Sequence, residues 1–81
     1  MIHIRIQQRR QKKYITIIEG LPNDLDLKLI TNALKKVCNC SGTIIESEFG
    51  KIIQLQGDCR QEVLKFLKES VEIEKIIVHG F

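Results

Sequence analysis

Eighty-one residues accommodate one small domain, and a composition of 43% hydrophobic and 28% charged residues excludes a disordered or low-complexity chain. The longest apolar runs, such as Ile76-Ile77-Val78, fall far short of a membrane span of roughly 20 residues or an export signal of roughly 7–15, so a soluble, cytoplasmic chain is expected. The net charge of +3 hides an asymmetry: residues 1–14 carry Arg5, Arg9, Arg10, Lys12 and Lys13 and no acid, while the rest holds 8 basic and 10 acidic groups.

Ile2, Ile4 and Ile6 alternate with His3, Arg5 and Gln7, the period of a half-buried strand. The stretch 7–13 has no apolar side chain to bury and reads as a loop. Tyr14 to Glu19, rich in β-branched residues, predicts a second strand, so Arg9, Arg10, Lys12 and Lys13 are presented together on the tip of a hairpin. Gly20-Leu21-Pro22-Asn23 is turn chemistry. Asp26 then suits an N-cap with Leu25 and Ile30 as a hydrophobic staple, with Asn23 or Asp24 as alternative caps. A first helix is predicted over Asp26–Cys38, burying Leu29, Ile30, Ala33, Leu34 and Val37 and turning Lys28, Thr31, Lys35 and Lys36 outward.

Asn39 to Gly42 is a stop. Gly42–Glu46 and Lys51–Gln56 read as strands joined by the four-residue loop Ser47-Glu48-Phe49-Gly50. After Gly57, Asp58 and Gln61 resemble a capping box for a second helix that buries Val63, Phe66, Leu67 and Val71 and ends near Ser70. Lys75–His79 closes the chain as a last strand. The order β-β-α-β-β-α-β predicts an α+β two-layer sandwich: a mixed, mostly antiparallel five-stranded sheet with two helices on one face.

Chemistry is sparse. No nucleophile–base arrangement, paired acid–base carboxylates or glycine-rich phosphate loop is present, so neither an enzyme nor a cofactor is expected. Cys38, Cys40 and Cys59 are odd in number and read as reduced, partly buried thiols. Cys38 and Cys40 form C-x-C rather than the zinc-binding C-x-x-C, and only His3 and His79, near opposite ends of the sequence, stand out to complete a site; no metal is expected. The cationic N-terminal segment is either a footprint for phosphate or a solvated surface. Strands one, three, four and five hold no aromatic on which to stack a base, which leaves Tyr14 and points to reading of backbone and shape by Arg and Lys.

Three strings carry a resemblance: Ile2-His3-Ile4-Arg5-Ile6-Gln7-Gln8-Arg9, Ile52-Ile53-Gln54-Leu55-Gln56-Gly57-Asp58 and Val78-His79-Gly80-Phe81. Leu25-Asp26-Leu27-Lys28 and Cys40-Ser41-Gly42-Thr43 extend it over essentially the whole chain. The sequence resembles the SUI-domain family of translation initiation factors, in its eukaryotic branch. That resemblance implies a single SUI-type domain over 1–81, monomeric and non-enzymatic, bound to the small ribosomal subunit and its rRNA near the P site, alongside other initiation factors and away from membranes. Such a factor promotes scanning and hinders seating of initiator tRNA until a start codon pairs. Arg5, Arg9, Arg10, Lys12, Lys13 and Tyr14 then fall to RNA, and Ser47, Glu48, Phe49 and Gly50 to the loop facing tRNA.

The pattern departs from the family in four places. The chain opens directly on the first strand, without the family's extended tail; the basic tip reads Arg10-Gln11-Lys12 with no glycine or asparagine, so a looser turn is expected; Cys59 stands where glutamine is common; and Ser70–Lys75 is short. These departures suit a divergent, truncated or virus-encoded copy. They leave open an alternative role as a protein-interaction module of the same fold that no longer acts on the ribosome.

Overall fold

Alternating isoleucines and two amphipathic stretches settle into five strands and two helices. In the computed structural model, which describes residues 1–48 and 50–80, these are β1 (Ile2–Arg10), β2 (Lys13–Glu19), α1 (Leu27–Val37), β3 (Gly42–Ser47), β4 (Gly50–Gln56), α2 (Arg60–Glu69) and β5 (Ile76–Val78). The sheet order is β3-β4-β2-β1-β5, antiparallel except where β5 runs parallel to β1. Ile2 and Ile4 of β1, Ile18 of β2 and Ile53 and Leu55 of β4 meet Ile30 and Leu34 of α1 and Val63 and Leu67 of α2 in one core. Both helices therefore cover the same face, as predicted.

Several local expectations are corrected. The polar segment 7–10 is strand, not loop: Gln7 pairs with Ile15, Gln8 with Tyr14 and Arg10 with Lys13, with a bulge at Arg9. Burial periodicity cannot report such pairing, because a projecting ribbon is held by backbone hydrogen bonds and buries little. The turn is tight, with Gln11 and Lys12 alone between the strands and Lys12 at φ 61°.

Helix α1 is rotated from its expected face. Thr31 is buried, whereas Leu29 and Val37 are 66% and 52% exposed. The inward stripe is Leu27, Ile30, Thr31, Leu34 and Cys38. Thr31 enters it at little cost because its hydroxyl donates to the Leu27 carbonyl, 2.7 Å away. Asp26 is the N-cap, its carboxylate accepting from the Leu29 amide at 3.1 Å.

At α2 the capping box does not form. Cys59 is the N-cap without a side-chain capping bond, and Asp58 instead grips the Arg60 guanidinium through both oxygens, at 2.9 and 2.8 Å. The second hairpin is tighter than a four-residue loop, since Ser47 pairs with Gly50 and the Ser47 hydroxyl donates to the Gly50 carbonyl at 2.7 Å. Phe49 lies outside the described residues. The last strand is three residues long, its ends held by His79 N–H donating to the Ile4 carbonyl and Ile2 N–H to the Lys75 carbonyl.

Candidate nucleic-acid interface

Antiparallel pairing of β1 with β2 and of β2 with β4 places the β1–β2 turn and the β3–β4 turn at opposite ends of the sheet. Six residue steps along β4 separate the levels of Gln56 and Gly50, about 20 Å at the strand rise. The molecule therefore has a cationic end and an end whose turn carries Glu48.

At the cationic end, Arg9, Arg10, Lys12 and Lys13 are all exposed. None of them forms a salt bridge among the described residues. Arg10 and Lys13 face one another across the ribbon, and like charges directly opposite destabilise a strand pair. Arg9, Arg10 and Lys13 line an open concavity of about 320 Å³ with Tyr14, Ile15, Gln54 and Gln56. Lys12 and Lys13 also border a second concavity with Tyr14, Cys40, Ser41 and Asp58. Tyr14 is half-buried between the two and sits at the foot of the tip, as expected.

The foot of this ribbon is pinned to the body. The Tyr14 carbonyl accepts from the Gly57 amide at 2.7 Å. Thr16, fully buried, donates its hydroxyl to the Gly57 carbonyl at 2.8 Å and accepts from the Cys59 amide at 2.9 Å. A cationic tip on a fixed base can meet phosphates without reorganising its own scaffold.

Arg5 stands apart from this group. It is paired with Ile17 in the register and its Nε lies 3.2 Å from Glu19 Oε1, on the open sheet face toward the other end. The structure thus brings together five of the six residues expected at RNA and sets Arg5 in an ion pair.

At the other end, a groove of about 770 Å³ runs between the start of α1 and the second hairpin, lined by Asp26, Lys28, Glu46, Ser47, Glu48 and Lys51 among others. Glu46 and Lys51 face each other in the register, 3.9 Å apart. Ser47, Glu48 and Gly50 are exposed.

Two further clusters had no local signal in the sequence. His3 Nδ1 and His79 Nε2 lie 2.9 Å apart with stacked rings, a contact across 76 positions created by the parallel β1–β5 pair. Desolvation first, and then the Arg5 charge, hold the His79 pKa below its ordinary value. Cys38, Cys40 and Cys59 converge with every sulfur within 4.8 Å of the others. Burial first of all pushes both the Cys38 and the Cys59 thiols up. Cys59 thus supplies the third sulfur that the C-x-C spacing alone lacked.

Comparison with known proteins fixes the lineage. Residues 1–74 match the family described as translation initiation factor SUI1. The chain belongs to that family. The protein translation factor sui1 of Schizosaccharomyces pombe is 48% identical over 83 residues, spanning 99% of this chain and 76% of that one. Eukaryotic translation initiation factor 1 of Homo sapiens is 46% identical over the same length, covering 99% and 74%. The crystal structure of the C-terminal domain of human eIF2D superposes with a TM-score of 0.83 at 23% identity, over 98% of this chain and 41% of that one, and shows a shared fold. This SUI1 chain also has no helix long and apolar enough to cross a membrane among its described residues.

Proposed function

We propose that this SUI1 protein binds the small ribosomal subunit near the P site, with the β1–β2 ribbon laid on rRNA phosphates. From there it promotes scanning and hinders initiator tRNA until the start codon pairs. The observation that carries the reading is the exposed set Arg9, Arg10, Lys12 and Lys13, which share one ribbon tip and form no salt bridge among the described residues. Guanidinium and ammonium groups in that state gain most from a polyanion, because no internal partner must be given up. The family description and the name of the Homo sapiens relative are those of translation initiation factors, for which ribosomal RNA is that polyanion.

The opposite end supplies the obstruction. Glu48 is exposed in the turn of the second hairpin, so an approaching tRNA backbone meets its carboxylate about 20 Å from the anchoring phosphates. Fidelity is then a competition between two occupants. Correct codon pairing supplies the free energy that displaces the factor, and a mismatch does not. Other initiation factors are the remaining partners, the protein acts as a monomer in the cytoplasm, and no covalent chemistry is involved.

The test is co-sedimentation with small subunits across a salt series. Each neutralised phosphate adds roughly 0.7–0.9 to the slope of log affinity against log salt, so four contacts give a slope of about 3 to 4. Replacing Arg9, Arg10, Lys12 and Lys13 by alanine is expected to flatten that slope and weaken binding at physiological salt by roughly 10²–10³-fold. Unchanged slope and affinity in a folded variant would remove the ribbon from the interface and favour the protein-interaction role.

A further inference from the structure

We propose that Cys38, Cys40 and Cys59 form a binding site for one thiophilic metal ion, zinc(II) or copper(I), which clasps the end of α1 to the start of α2. The three sulfurs lie within 4.8 Å of one another. Three thiolates around a cation at about 2.3 Å stand about 3.8–4.0 Å apart, so closure asks for a shift of about 1 Å or less at each terminal atom.

The backbone holds the sulfurs ready. Cys38 is the C-cap of α1, and Asn39 takes the left-handed conformation at φ 50°, turning the chain so that Cys40 joins Cys38 despite the i, i+2 spacing. Cys38 N–H donates to the Leu34 carbonyl at 2.8 Å and Cys40 N–H to the Lys35 carbonyl at 3.0 Å. Cys59 is fixed by the hydrogen bond its backbone amide donates to the Thr16 hydroxyl oxygen. None of the three is in a disulfide, and Cys59 makes no capping bond at α2. A thiolate at that N-cap faces the positive end of the helix dipole, while a cation beside Cys38 faces the negative end of α1.

Binding exchanges three thiol protons for one cation and leaves a net charge of −1 with zinc or −2 with copper(I). The charged groups around the cluster are mixed: Glu62 lies near enough to Cys38 to oppose its ionisation, whereas Lys12 and Lys13 share with Cys40 and Asp58 an open concavity of about 540 Å³. That concavity is the entry path. His3 and His79 bind each other near the opposite end of the sheet, so the fourth position falls to water.

The full reduced chain, freed of metal and kept anaerobic, is equilibrated with zinc sulfate and, in a parallel arm, with copper(I) held by a competing chelator. One equivalent is expected to survive desalting and to protect all three thiols from a disulfide reagent. Cobalt(II) in the same site is expected to show thiolate charge-transfer absorption. Cys59→Gln and Cys40→Ser are each expected to weaken binding by about 10²-fold or more, since loss of even an outer-sphere group costs 10–100-fold. Circular dichroism establishes that each variant is folded, and Cys59→Ala replaces the glutamine variant if that side chain is too large. Retention in one arm alone supports the site and identifies its ion. Failure of both ions to be retained, equal affinity in folded Cys59 variants, or loss of thiols only to disulfides overturns it.

Discussion

The two hairpins are built on one sheet and treat charge in opposite ways. In β1–β2 the rung nearest the turn sets Arg10 against Lys13, and in β3–β4 the rung one step from the turn sets Glu46 against Lys51. The second hairpin neutralises itself across the strands. The first opposes like charges, so its tip is a cost to folding that an external anion relieves. Their turns differ too: β1–β2 places a lysine at φ 61°, whereas β4 opens with Gly50 at φ 116°. A side chain kept in a left-handed turn, where glycine is easier, retains a charge at the tip of the ribbon.

Removing the four cations of the first tip, described above, is the largest expected effect on binding, and relief of the Arg10–Lys13 repulsion is expected to raise stability by about 0.2–1 kcal/mol. Thr16→Val attacks the base of that tip rather than its charge. It strands the Gly57 carbonyl and the Cys59 amide, and is expected to lower unfolding free energy by about 2–4 kcal/mol in urea titrations. The turns can then be exchanged in kind. Gly50→Ala forces a side chain into a conformation reserved for glycine and is expected to cost about 1–2 kcal/mol, although nothing lies within 4 Å to clash with it. Lys12→Gly is expected to gain about 0.5–1 kcal/mol while lowering the salt slope by about 0.7–0.9, a trade read by thermal melts and co-sedimentation together.

Glu48→Ala probes the second tip. It is expected to raise initiation at near-cognate codons up to about fivefold in a reporter, the equivalent of about 1 kcal/mol of charge repulsion in water. Unchanged stringency would separate that hairpin from tRNA. The smallest effect concerns pH. Because His79 is harder to protonate folded than unfolded, the unfolded chain binds more protons as pH falls through the ordinary value of 6.5. Stability is expected to decline on acidification below that point and to be regained above it; thermal melts of His79→Gln should lose that part of the pH dependence.

Element type was legible wherever burial sets the pattern. Isoleucines at period two gave β1, runs of β-branched residues gave β2 and β4, and Asp26 announced its helix because its cap is local. The misses arise where burial does not set the pattern. Strand pairing through Gln7–Arg10 leaves no trace in hydrophobicity, and the rotation of α1 depended on Thr31 satisfying its hydroxyl on Leu27, so an apolar tally favoured Leu29 and Val37 instead. At the candidate interface the cations and Tyr14 were readable from composition and position. The ion pair of Arg5 with Glu19 was not, nor were the histidine and thiol clusters, since each joins segments that only the sheet topology brings together.

The parallel pairing of β5 with β1 has a kinetic consequence. Ile2, His3 and Ile4 are made some seventy residues before their partners Ile76, Ile77 and Val78, so during synthesis one margin of the nascent sheet stays uncovered while the other four strands assemble. Closing it is a long-range, late event of the kind that slows folding and invites wrong partners, and the ring contact of His79 with His3 acts as a latch once the final strand arrives.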